Sequence, residues 1–171
     1  MNPIEELKAE DLMKSPVVTV DADAPLGEAA RTMNENHVSG LLVTDQSGKA
    51  VGVISLSDIV SYLAGIERAA GEPGGFYRLG QPDFRAAGEA VVEELGESEE
   101  EPLWETTVDE IMAEEILSVP RKASVPEVAR ALWERRIHRV FVDGPQGPEG
   151  VISTLDVLAV LAALPVAPVG P

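Results

Sequence analysis

The chain has 171 residues, with 13 Lys+Arg against 30 Asp+Glu, a formal charge of −17, 44% hydrophobic residues, 4% aromatic residues and no cysteine. This length supports one domain or two small ones that bury roughly 70% of the unfolded surface without covalent staples. The missing cysteine rules out disulfides, thiolate metal sites and cysteine nucleophiles, and the acidic surplus repels a phosphate backbone, so no nucleic-acid partner is expected.

In chain order, Met1 to Glu6 has neither a basic nor an apolar leader character, and the longest apolar stretch, Val157 to Val169, is broken by Pro165 and Pro168. A cytoplasmic protein with no membrane segment is expected. The β-branched run Val17 to Val20 reads as a short buried strand. Leu26, Ala29, Ala30 and Met33 then fall at i, i+3, i+4 and i+7, one apolar face of a helix, with Pro25 near its first turn, where a missing N–H costs little. Leu41 to Val43 and Val51 to Ile54 flank the turn residues Asp45-Gln46-Ser47-Gly48 and predict a hairpin. A second helix begins at Ser55, with Ile59, Val60 and Leu63 as its apolar residues.

The same order returns later in the chain. Glu28-Ala29-Ala30-Arg31 is matched by Glu127-Val128-Ala129-Arg130, and Met13 by Met112, while Gly52-Val53-Ile54-Ser55-x-x-Asp58 recurs as Gly150-Val151-Ile152-Ser153-x-x-Asp156. The second copy predicts a strand at Ile116 to Val119, a helix with Val125, Val128, Ala129 and Leu132 on one face and Pro126 near its start, a hairpin of Val140 to Val142 and Gly150 to Ile152, and a helix from Ser153 with Val157, Leu158 and Leu161. Each copy is β-α-β-β-α. Units this small are marginal alone, so the two are expected to share apolar surface. Between them lies an insert, Ile66 to Thr106, rich in Gly, Pro and Glu, with weak core signal, a possible helix at Phe84 to Leu95 and an acidic run through Glu101 that reads as a solvated linker.

The duplicated Gly-h-h-Ser-x-x-Asp carries the chemistry. As a capping box, the Ser side chain accepts from an early helix N–H and the acid answers back. As a ligand site, the same helix start favours an anion, the hydroxyl can bond phosphate, and a carboxylate with two acceptor oxygens suits a ribose diol. Six of the 13 Lys+Arg lie between Arg121 and Arg139. Arg135 and Arg136 would complement a helix C-terminus, whereas Arg139 starts a strand and is the stronger candidate for a polyphosphate. For His37 a partly buried structural role is expected, for Met13 and Met112 packing against the partner repeat, and for Trp104 and Trp133 packing or interface roles.

Taken together, Asp11-Leu12-Met13, Asn36 to Val43 and Gly52 to Asp58, with Asp109 to Met112, Arg136 to Val140 and Gly150 to Asp156 in the second copy, resemble a tandem pair of cystathionine-β-synthase (CBS) domains, a Bateman module. The resemblance implies an α+β fold of tandem β-α-β-β-α repeats packed as a pseudo-two-fold pair. Its parts are a first repeat with an N-terminal helix (1–65), the acidic insert (66–106), a second repeat (107–163) and a tail (164–171). It implies a non-catalytic regulatory sensor that binds AMP, ADP, ATP or S-adenosylmethionine between the repeats, commonly as a homodimer, with no catalytic cofactor or metal, and acting on a regulated protein partner. Carried over by residue, Ser55, Asp58, Ser153 and Asp156 would meet ribose or phosphate, Val17, Val38, Ser39, Ile116, Ile137 and His138 would line the base pocket, and Arg139 would reach the phosphates. The sequence departs from the family pattern where Leu42 and Phe141 replace a frequent Pro, and in its long insert. The alternative is a ligand-free scaffold of the same fold that recruits partners through the acidic insert and dimer surface. No G-x-x-x-x-G-K-[ST] or G-x-S-x-G is present to suggest a kinase or hydrolase.

Overall fold

The computed structural model describes residues 6–65, 74–78 and 101–164. Among these the elements are α1 (Ala9–Leu12), β1 (Thr19–Asp21), α2 (Leu26–Glu35), β2 (Gly40–Thr44), β3 (Ala50–Ser55), α3 (Leu56–Leu63), a 3-10 turn (Gly75–Tyr77), α4 (Glu101–Glu105), α5 (Val108–Ile111), β4 (Ser118–Pro120), α6 (Val125–Arg135), β5 (Arg139–Gly144), β6 (Gly147–Ser153) and α7 (Thr154–Ala162). The chain divides into two compact units. One is Pro16–Leu117; the other joins Met1–Ser15 to Ser118–Pro171.

In the Pro16–Leu117 unit, β1 runs parallel to β2 and β2 antiparallel to β3. Gly40 to Val43 are all buried, as a central strand covered on both faces requires. The hairpin turn is held by Asp45, whose Oδ1 accepts the N–H groups of Ser47 (2.8 Å) and Lys49 (3.0 Å), and Gly48 supplies the left-handed conformation at φ +80°. Leu26, Ala29, Ala30 and Met33 are buried as their spacing predicts, packed with Val20, Leu41, Val43, Ile54 and Ile59. Pro25 is the N-cap of α2.

The second unit repeats the plan, with β4 parallel to β5 and β5 antiparallel to β6. Pro126 lies in the first turn of α6. Val128, Leu132, Ile137, Phe141, Val142 and Ile152 form its buried apolar interior.

The first strand of each copy lies later than predicted, at Thr19–Asp21 and Ser118–Pro120. The apolar run marks burial, whereas the ladder starts where β2 offers partners: Leu42 donates its N–H to the Val18 carbonyl (3.1 Å), and Thr19 is the first paired residue. Val17 and Ile116 are therefore half-buried lead-ins. His37 is exposed rather than partly buried. It sits at φ +54°, and its repeat-equivalent Arg136 at φ +53°. Both follow a helix whose end is closed by a six-to-one bond, Val38 N–H to Met33 O and Ile137 N–H to Leu132 O, each 3.0 Å.

Each unit is completed by a segment that precedes the other copy. Ala113 bridges Val53, and Met112 lies against Gly52, where a Cβ would meet Ala113 O at 2.7 Å. Correspondingly Lys14 bridges Val151, and Met13 lies against Gly150, where a Cβ would meet Met13 Cβ at 2.8 Å. The two methionines thus pack on the partner repeat, and the two motif glycines provide the room.

The insert contributes more core than its composition suggests: Phe76, Tyr77 and Leu103 are buried in the Pro16–Leu117 unit. Trp104 lies over Gly27 and 5.4 Å from the Arg31 guanidinium, while Trp133 is 83% exposed. The helix expected at Phe84 to Leu95 and the acidic run before Glu101 lie outside the described residues. Among the described residues no helix is long and apolar enough to cross a membrane, and no group of three or more His, Asp or Glu could hold a metal ion.

Candidate functional site

Each copy ends its hairpin in a strand-to-helix corner. Ser55 closes β3 and caps α3: its Oγ accepts the Asp58 N–H (3.3 Å) and donates to Asp58 Oδ2 (2.6 Å), and the Ser55 N–H donates to the same oxygen (2.9 Å). Ser153 closes β6 and caps α7 in the same way, with 3.4, 2.5 and 2.8 Å for the corresponding bonds to Asp156. Both serines therefore make the capping box that their spacing predicts. In each corner Oδ2 serves the cap, and Oδ1 points elsewhere.

The destinations of Oδ1 differ. Asp58 Oδ1 accepts the backbone N–H of Gly75 at 3.1 Å, and Ser55 Oγ also lies 2.8 Å from Ser57 Oγ. Asp156 Oδ1 instead lies 3.0 Å from the Lys14 ammonium, whose side chain is largely exposed. Burial alone would raise the Asp156 carboxyl, but the Ser153 hydroxyl, the Ser153 N–H and Lys14 outweigh it and hold the group below its ordinary value.

The position across the hairpin ladder differs as well. Gly40 pairs with Ser55, and Arg139 with Ser153. Arg139 is half-buried, its pKa lowered by desolvation, and its Nε donates to His138 Nε2 at 2.8 Å, which makes that nitrogen the acceptor.

The sequence candidates fall into two groups. Val17, Val38, Ser39, Ser55, Asp58 and Ile116 belong to the Pro16–Leu117 unit; Ile137, His138, Arg139, Ser153 and Asp156 belong to the other. Ser55 is buried at 3% exposure, Val38 is half-buried, Ser39 is exposed and Ile137 is buried. Of the cation run, Arg121 pairs with Glu10 and Glu149, and Lys122 pairs with Glu10, so these two are engaged within the unit. Arg135 and Arg136 stand exposed at the end of α6.

Sequence reasoning missed Lys14 and the turn Gly74 to Tyr77. Lys14 is distant in sequence from Asp156 and carries no local signal. The turn does carry one, since Phe76 and Tyr77 stand adjacent in a chain with only three Phe, two Tyr and two Trp.

Comparison with known proteins places these corners in a family. A family model of the CBS domain matches residues 9–65 and 108–163. The fold is similar to the CBS domain of a CBS domain-containing membrane protein from Sphaerobacter thermophilus, at 27% identity and a TM-score of 0.63 over 91% of this chain and 88% of that one. It is also similar to the CBS domain pair of protein MJ0100 in complex with 5′-methylthioadenosine and S-adenosyl-L-methionine, at 18% identity and a TM-score of 0.61 over 91% and 99%. An uncharacterized protein of Methanopyrus kandleri is 36% identical over 59 residues, 34% of this chain and 30% of that protein. The matches cover only 19% to 30% of the length of this and two further archaeal relatives. With both repeats matched over well more than half of its length and the β-α-β-β-α order present twice, the chain belongs to the CBS-domain family as a tandem CBS protein.

Proposed function

We propose that this protein is a non-catalytic sensor of adenosine-containing ligands, AMP, ADP, ATP or S-adenosylmethionine, and that the Ser153/Asp156 corner is its exchangeable site. The observation that carries this reading is the second corner itself: an ionised carboxylate with one oxygen directed at an exposed ammonium, and a guanidinium at the ladder position opposite the serine. A ribose diol offers two donors where Lys14 now offers one, and a carboxylate accepts both. Lys14, once displaced, and Arg139, on exchanging its present partners, would meet a phosphate or a carboxylate tail. The MJ0100 pair carries two adenosine compounds, which is the ligand chemistry proposed here.

The corner also supplies a route for signalling. Lys14 is part of the N-terminal segment that bridges Val151, so a ligand that takes Asp156 from Lys14 changes how that segment is held. Output to a regulated partner through this segment follows from the exchange of partners alone and requires no bond-breaking step. Homodimerisation belongs to the same proposal: Leu155, Leu158 and Leu161 of α7 are 73%, 55% and 47% exposed, an apolar face of the kind that marks an interface.

Isothermal titration calorimetry with AMP, ATP and S-adenosylmethionine tests the proposal. Saturable heat with at least one of them, reduced at least tenfold in affinity by Asp156→Ala, is expected. No heat and no thermal shift with any of the three at millimolar concentration overturns it.

A further inference from the structure

The first corner is already filled. Gly75 donates its backbone N–H to Asp58 Oδ1, and it approaches so closely that a Cβ there would fall 2.5 Å from Ser55 Oγ and 3.2 Å from Asp58 Oδ1, with Ser57 Oγ closer still. Phe76 then lies against Gly40, where a Cβ would meet its ring at 2.5 Å. Tyr77 packs edge-on to Phe76, with ring centroids 5.0 Å apart, and its hydroxyl accepts the backbone N–H of Leu117 at 2.9 Å. Phe76 and Tyr77 are buried at 4% and 1%.

These contacts reach two of the candidate residues, Ser55 and Asp58, and the immediate neighbours of two others. The turn meets Ser55 and Asp58 at one end, the backbone beside Ser39 in the middle, and the backbone beside Ile116 at the other end. A donor N–H meets the free side of the cap's carboxylate, at Oδ1, and a pair of buried aromatic rings follows it. That is the chemistry of a nucleoside, with a hydroxyl-like donor on the carboxylate and a flat ring system beyond it. Two glycines make the fit possible, Gly75 on the turn and Gly40 on β2. At the position of Gly40 the second copy carries Arg139, whose side chain would occupy the room that Phe76 uses.

We propose that residues 74–77 are an internal ligand of the first corner, so that the chain binds one adenosine compound, at Ser153/Asp156, and takes a second only when this turn is displaced. The inference rests on the reading of the Ser/Asp corner as a ribose site. It makes the insert a competitor for that site, joined to it covalently and therefore present at high effective concentration.

Calorimetry on the full chain with ATP, AMP and S-adenosylmethionine reads the stoichiometry, and amide hydrogen exchange at Gly75 and Leu117 reads the turn directly. Wild type is expected to bind one equivalent and to protect both amides. Gly75→Ala, which introduces the Cβ that the corner cannot accept, is expected to bind two equivalents with both amides exchanging fast. The variant Tyr77→Ala should do the same if Gly75→Ala fails to fold, and adding Asp58→Ala to either should return the count to one. Two equivalents in wild type, one equivalent in a folded Gly75→Ala protein whose amides have been released, or unprotected amides in wild type overturn the proposal. If no protein binds any of the three compounds, the adenosine reading fails and this inference falls with it, whereas two equivalents in wild type overturn the inference and leave the adenosine reading intact.

Discussion

Gly40 faces Ser55 across the first hairpin at the register position where Arg139 faces Ser153 across the second. One substitution between repeats therefore separates a corner that admits an aromatic ring from a corner that presents a cation. Arg139→Ala is expected to weaken ATP binding roughly tenfold to a hundredfold, the range for losing a hydrogen bond to a charged group, and to leave adenosine affinity unchanged. Parallel titrations with ATP and adenosine separate these outcomes.

The two acids differ for the same reason. Asp156→Ala should lower nucleotide affinity at least tenfold, whereas Asp58→Ala should change it less than twofold, because Asp58 Oδ1 is engaged by Gly75 in the chain as it stands. Calorimetry on the two single variants gives the comparison, and the opposite order contradicts the assignment.

Loss of the capping hydroxyls should register as stability. Ser153→Ala is expected to cost about 1 kcal/mol, a usual figure for an N-cap. Ser55→Ala should cost roughly 2 kcal/mol, since Ser55 is buried and its removal also strips a partner from Ser57. Urea unfolding midpoints measure both.

Acid sensitivity should trace in part to Asp156. Its folded-state pKa is depressed, so its contribution is complete above the unfolded carboxyl value near 3.8 and is lost as pH falls through the lower folded value. Asp156→Asn is expected to flatten stability against pH in that window and leave the slope above pH 5 unaltered. Urea midpoints between pH 7 and pH 2.5 test this. The Glu10 carboxyl, lowered by hydrogen bonds from Lys122 and Arg121, titrates in the same direction.

His37 and Arg136 hold left-handed conformations with exposed side chains. Glycine adopts that conformation without a Cβ penalty but loses more freedom on folding, so His37→Gly and Arg136→Gly are each expected to stabilise the protein by up to about 1 kcal/mol. Thermal melts of the single and double variants should show additive gains.

The repeat, the helical faces, the hairpins and both capping boxes were legible in the sequence because each is encoded within a few residues. Leu26 to Met33 carries its own period, and Ser55 to Asp58 its own bonds. The pairing of Lys14 with Asp156 was not legible, since it joins residues far apart whose meeting depends on the bridge between Lys14 and Val151. Nor was the role of Gly75, whose Gly/Pro/Glu-rich surroundings suggested linker. The composition averaged away the two aromatics that matter. Strand starts were misplaced because Val17 and Ile116 are apolar without being paired in the ladder.

The exchange of leading segments sets an order of completion during synthesis. Residues 16–117 have every part of their unit once Leu117 has left the ribosome, but Met13 and Lys14 pack on Gly150 and Val151, which are made more than 130 residues later. At 5–20 residues per second that wait is on the order of ten seconds. Throughout it the N-terminal segment has no native seat, and a neighbouring nascent chain that already exposes its second hairpin could capture it.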